Sequence, residues 1–267
     1  MPQETIKGWR GQQIVGARSR GSRVFAAFDW RDLVLMPEPP IEKKAATPSR
    51  QAWSFAEEDR ARLAERDGRY TDLQSVNSED SVTWATFGPA VKDRAVHAVV
   101  RAAFPSSHSP SSLTRAFWQR YPHPEGGRRK KGPEPDVVLG AVDWCLVTEA
   151  KWRADLDGKQ GRGGGTGQLE MRTHVAQQSA PAGFRGVLVV VPSPRRYLKT
   201  KRHPVFARYF APEGDTYRAL PACDELATRM EVPIAVVTWE QIVEILAGHG
   251  TDRDVVAYLR WRLGHLG

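Results

Sequence analysis

Residues 186–191 read Gly-Val-Leu-Val-Val-Val, and Pro192 follows at once. Such a run is short for a helix and too apolar for a strand with one wet face, so it predicts a strand buried on both sides at the centre of a sheet. A strand of that kind needs neighbours on both edges and a covering layer on each face, which commits the chain to a layered α/β architecture. With 267 residues, 40% of them hydrophobic, there is enough chain to build the core. A disulfide-stapled mini-scaffold and a largely disordered chain are thereby excluded. Cys145 and Cys223 stand in no Cys-x-x-Cys or Cys/His spacing, so structural zinc and dithiol redox chemistry drop out as well. No apolar run approaches the roughly 20 residues that cross a bilayer, and residues 1–12 lack the apolar segment of a secretory signal. The expected address is cytoplasmic, without a membrane partner.

The rest of the pattern supplies the layers. Residues 1–75 read as an N-terminal extension or small subdomain, with a strand at 23–28, a Pro-rich stretch at 36–48 and a helix entered through the capping box Ser54-Phe55-Ala56-Glu57. Residues 76–267 read as the main domain. Its first helix starts at Ser78-Glu79-Asp80, breaks at Gly88-Pro89 and resumes with Val91, Ala95, Val99 and Ala103 at four-residue spacing. A shorter helix is expected at 112–121, between Pro110 and Pro122. Strands follow at 136–139 and 144–152 around a turn at 140–143. A Gly-rich connector at 161–167, which lacks the Lys-Ser/Thr ending of a P-loop, leads to a helix at 168–178 with Leu169, Val175 and Ala176 facing inward. After the central strand, a helix at 224–230, a strand at 233–238 and helices at 240–246 and 252–263 complete a mixed central β-sheet flanked by helices.

Chemistry concentrates in residues 135–152. If 136–149 is an antiparallel hairpin bending between Val142 and Asp143, positions whose numbers sum to 285 face each other. Asp136 then opposes Glu149, with β-carbons about 5 Å apart. Like charges so placed destabilise a hairpin, so the register differs, one acid is protonated, or a cation lies between them. Lys151 projects on the face of Glu149, while Val137, Leu139, Leu146 and Ala150 form an apolar reverse face. Two carboxylates with no Cys or His suit Mg²⁺ or Mn²⁺ and leave room for water and a phosphate. An ion and a lysine together can activate water for attack on phosphorus.

Charge distribution agrees with a polyanionic substrate. The chain carries 39 Lys+Arg against 31 Asp+Glu, a formal +8, and two basic clusters flank the hairpin and the central strand in Gly/Pro/Ser-containing segments expected to be exposed loops. They are Arg128, Arg129, Lys130 and Lys131, and Arg195, Arg196, Lys199, Lys201 and Arg202. Both are candidate nucleic-acid contacts.

Pro135-Asp136, a strand-turn-strand, then Glu149-Ala150-Lys151 resembles the PD-(D/E)XK phosphodiesterases, the restriction-endonuclease-like nucleases, over roughly residues 77–192. The resemblance implies a helix, a three-stranded antiparallel meander, a helix and a strand (αβββαβ); the meander's first strand is expected between 125 and 133 or is very short. It implies that Asp136, Glu149 and the Ala150 carbonyl hold Mg²⁺ or Mn²⁺ and that Lys151 serves the attacking water. Glu79, on the helix before the meander, and Gln168, opening the helix after it, match looser features of the family, which implies a further catalytic residue at each and a further metal ligand at Glu79. At 172, four residues beyond Gln168, Arg stands where one branch has Tyr. The implied activity is metal-dependent hydrolysis of nucleic acid, DNA before RNA; a homodimer would suit double-strand cutting. Two other readings stay open: a catalytically silent module of the same fold that binds nucleic acid or a protein, and a phosphoesterase for small molecules.

Overall fold

The computed structural model describes residues 5–7, 13–15, 79–88, 91–105, 112–117, 121–124, 132–141, 143–156, 167–179, 183–200 and 203–264. The strand expected at 23–28, the helix expected at 54–67, the Gly-rich connector up to residue 166 and the basic run 128–131 lie outside these residues, as does the expected boundary near 75. The chain divides into two compact units, Met1–Ala90 and Val91–Gly267.

In the first unit, β1 (Thr5–Lys7) and β2 (Gln13–Val15) pair antiparallel with Ile6 opposite Ile14. The helix α1 (Glu79–Phe87) follows, with Gly88 N–H donating to the Trp84 carbonyl at its end.

The second unit opens with α2 (Asp93–Ala103). Asp93 in the first turn suits the positive end of the helix dipole, and Ala95, Val96, Val99 and Val100 form its buried stripe. Then come β3 (Thr114–Phe117), β4 (Val137–Gly140) and β5 (Trp144–Ala150). The chain crosses through α3 (Gln168–Ser179) to β6 (Phe184–Val191). Next are α4 (Pro194–Thr200), α5 (Phe206–Tyr209) and the hairpin β7 (Phe210–Glu213)–β8 (Thr216–Ala219). The last elements are α6 (Pro221–Met230), β9 (Ile234–Thr238), α7 (Trp239–Gly248) and α8 (Arg253–Gly264).

One sheet organises this unit, in the order β3-β4-β5-β6-β9. The first three strands form an antiparallel meander, whereas β6 runs parallel to both β5 and β9, so the sheet is mixed and flanked by helices. A parallel neighbour requires a crossover, which α3 supplies by packing on β5 and β6. The expected central strand is β6, whose residues 187–191 are fully buried.

Two local expectations are corrected. Residues 114–117 are a strand, not part of a helix at 112–121. Long-range bonds decide this: Thr114–Phe117 pairs along β4, and Asp93 at the start of α2 accepts the Leu113 N–H at 3.1 Å and an Arg115 guanidinium N–H at 2.5 Å. The meander's first strand therefore lies before the 125–133 window. Residues 195–199 belong to a helix rather than an exposed loop, because Pro194 suits a first helical position and the Ser193 carbonyl accepts from Arg196 and Tyr197 N–H.

Candidate active site

The β4–β5 register pairs Val137 with Thr148 and Gly140 with Cys145, so opposed positions do sum to 285. Continued by one residue, it brings Asp136, at the bend before β4, opposite Glu149. Asp136 is tied to β5 through its side chain, the Ala150 N–H donating to Asp136 Oδ2 at 2.7 Å. Asp136, Glu149, Ala150 and Lys151 are 9, 1, 0 and 5% exposed.

Lys151 is on the expected face, with Nζ 2.6 Å from Glu149 Oε1. Its backbone is held on both sides, the N–H donating to the Val190 carbonyl at 2.7 Å and the carbonyl accepting the Trp239 indole N–H at 2.9 Å. Trp239 is itself placed by the start of α7, where Thr238 and Gln241 form a capping box, and it meets Trp152 edge-on at 5.9 Å. Replacing Trp239 by Phe keeps most of the ring packing but removes the indole N–H that the buried Lys151 carbonyl accepts. Urea unfolding of Trp239→Phe should show a loss of about 1–3 kcal/mol.

The face carrying these groups is not open. Val138, Cys145 and Val147, which share it, are packed with Leu169, Val175 and Ala176 of α3 in one core cluster. An interior strand is covered on both sides, so the acid end of β5 lies under a helix. That helix contributes a residue absent from the candidates read out of the motif: Arg172, 2% exposed, donates from Nε to Glu149 Oε2 and from Nη2 to the Glu134 carbonyl at 3.1 Å. A signal was present. Leu169, Arg172, Thr173 and Ala176 are spaced as one buried helical stripe, and an arginine on such a stripe needs a buried counter-charge.

Each Glu149 oxygen thus faces a cation. Burial alone would push this carboxyl up, but the charges of Lys151 and Arg172 and the hydrogen bonds they donate outweigh it, and the net displacement is below the ordinary glutamate value. The cation that relieves the facing acids is, at Glu149, provided by the chain itself. Among the described residues there is no cluster of three or more His, Cys, Asp or Glu.

Gln168 opens α3 and is 8% exposed, one helical turn before Arg172. Glu79 opens α1, in the first unit. Of the basic candidates, Arg195 is exposed and pairs with Asp215 at 3.0 Å. Arg196 is turned to Glu240, at 3.3 Å, and donates to the Leu263 carbonyl. Lys199 lies on α4, while Arg128, Arg129, Lys130, Lys131, Lys201 and Arg202 are outside the described residues. Beyond the site, Asp155 accepts the Val205 and Phe206 N–H groups, each at 2.9 Å, which ties the segment after Lys151 to the start of α5.

No helix among the described residues is long and apolar enough to cross a membrane. Comparison with family models, with curated proteins and with solved structures finds no match.

Proposed function

We propose that this chain is a Mg²⁺- or Mn²⁺-dependent nuclease that hydrolyses the phosphodiester bonds of nucleic acid, DNA before RNA, on a restriction-endonuclease-like core of the PD-(D/E)XK type. The observation that carries the reading is the convergence of three motif residues at one end of the hairpin: the Ala150 N–H holds Asp136 Oδ2 at 2.7 Å, and Lys151 Nζ lies 2.6 Å from Glu149 Oε1. The order of elements supports it: α2, the meander β3-β4-β5, α3, and β6 parallel to β5 follow the αβββαβ sequence of that fold.

The donor chemistry suits a hard divalent ion. Asp136 and Glu149 offer carboxylate oxygens, each able to accept more than one bond, the hard donors such an ion prefers. With the Ala150 carbonyl these residues would hold the ion, leaving other positions to water and phosphate. An ion held there would supply Lewis-acid polarisation of the phosphate and lower the pKa of a water. The chain's own groups do the remainder. The Ala150 N–H fixes the Asp136 carboxylate. Lys151, anchored through its backbone, directs ammonium N–H groups at the attacking water and at charge growing on phosphate oxygen. Arg172 and Lys151 keep Glu149 ionised. Products would carry 5′-phosphate and 3′-hydroxyl ends, as the resemblance implies.

A second reading draws on the same cluster. Glu149 is satisfied by Lys151 and Arg172 without an ion, as a silent binding module of this fold would also allow. Plasmid incubated with Mg²⁺ or Mn²⁺ separates the two. Nicking or linearisation is expected, abolished by chelator and by Asp136→Asn. Equal cleavage by wild type and variant, or none under any metal condition, overturns the nuclease reading.

A further inference from the structure

We propose that Arg172 makes divalent-ion binding at this site conditional on the substrate's phosphate; the inference rests on the nuclease reading. Taken at formal charge, the cluster of Asp136, Glu149, Lys151 and Arg172 is neutral. Every member is at least nine-tenths buried. Adding a doubly charged ion would leave a large uncompensated charge in a poorly solvated place. Delivered together with a phosphodiester anion, the same ion meets an extra negative charge and additional oxygen ligands.

The cost falls on Arg172 in particular. Lys151 is carried by the strand that carries Glu149, whereas Arg172 comes from another element and competes directly for Glu149 Oε2. It is also held away from a simple retreat, since Nη2 bonds the Glu134 carbonyl two residues before Asp136. Nη1 is buried with no hydrogen-bond acceptor. An entering phosphate oxygen would meet that unmet donor, so the guanidinium resists the ion and welcomes the anion. Arg172 is thus a positioning residue: it fixes Glu149 and couples two ligands that would otherwise bind independently.

The test is Mn²⁺ binding to the full chain, read from the electron paramagnetic resonance of free Mn²⁺, alone and with a short all-phosphorothioate duplex that keeps the charge but resists hydrolysis. The duplex without protein serves as the blank. Wild type is expected to take up Mn²⁺ at least about tenfold more tightly with the duplex than without it. Arg172→Gln should bind Mn²⁺ without the duplex at least about tenfold more tightly than wild type and lose most of the coupling, whereas Arg172→Lys, which keeps a charge, should retain part of it. Equal uptake by wild type with and without duplex overturns the inference but leaves the nuclease reading standing. Uptake in neither condition overturns both. Should Arg172→Gln fail to fold, as judged by circular dichroism, Arg172→Lys decides: coupling undiminished from wild type in that variant overturns the role of Arg172.

Discussion

Lys151→Ala is expected to slow plasmid cleavage by about 10²–10⁴-fold under single-turnover conditions, the range typical of losing one positioned proton-transfer or charge-stabilising group. At about 1.4 kcal/mol per tenfold, that is roughly 3–5.5 kcal/mol of barrier. The size follows from placement. The ammonium lies 2.6 Å from Glu149 Oε1 at a 5% exposed position, where water replaces it poorly and charge interactions are strong. The strand itself should persist in the variant, because the backbone bonds to Val190 and Trp239 do not involve the side chain and Arg172 still faces Glu149. Lys151→Arg should not rescue the rate, since a planar, longer guanidinium cannot occupy the site of a compact ammonium. Urea unfolding run alongside separates lost chemistry from lost fold. Wild-type rates in Lys151→Ala would remove lysine from the mechanism.

Glu149→Gln should produce the largest stability loss at the site. It deletes the one charge shared by Lys151 and Arg172 and leaves two buried cations without it, a situation that costs about 3–5 kcal/mol. Against a total of about 5–15 kcal/mol for a domain, and with each kcal/mol worth about 2–4 °C in a unit of this size, melting should fall by roughly 6–20 °C. The pH dependence has a definite sign. The native carboxyl titrates below its ordinary value, so its stabilisation is complete above the unfolded-state pKa of about 4.3 and is lost as pH falls through the lower native one. Wild type should therefore lose stability on that acid limb, while Glu149→Gln should be flatter there. Thermal melts of both proteins over the acid range provide the check; parallel curves would mean that Glu149 is not held ionised by its neighbours.

The acidic pair, the lysine and the central strand were legible in the sequence because each depends on short-range rules. Side chains alternate along a strand, so the spacing of Asp136, Glu149 and Lys151 sorted them to one face once a tight bend was assumed. Likewise, the unbroken apolar run at 186–191 could only be a strand covered on both sides. The expectation failed where partners distant in the chain decide. Thr114–Phe117 has no strong period of its own, and becomes a strand because β4 offers a free edge and Asp93 binds its entry. The β7–β8 hairpin around Gly214, with φ of +62°, rests on a local Gly-Asp turn signal too short to set the pairing of its flanking strands.

What sequence alone determined, then, is the register of the β4–β5 hairpin, the side of it on which Lys151 meets Glu149, and which strand forms the middle of the sheet, since these follow from covalent alternation and local hydrophobicity. Tertiary structure decided that α3 crosses over the acid-bearing face, burying it and delivering Arg172 to Glu149. No local rule carries that information. The charge a buried carboxylate meets is set by whichever element packs against it, and an arginine on an apolar stripe reveals its purpose only when the opposing strand is in place.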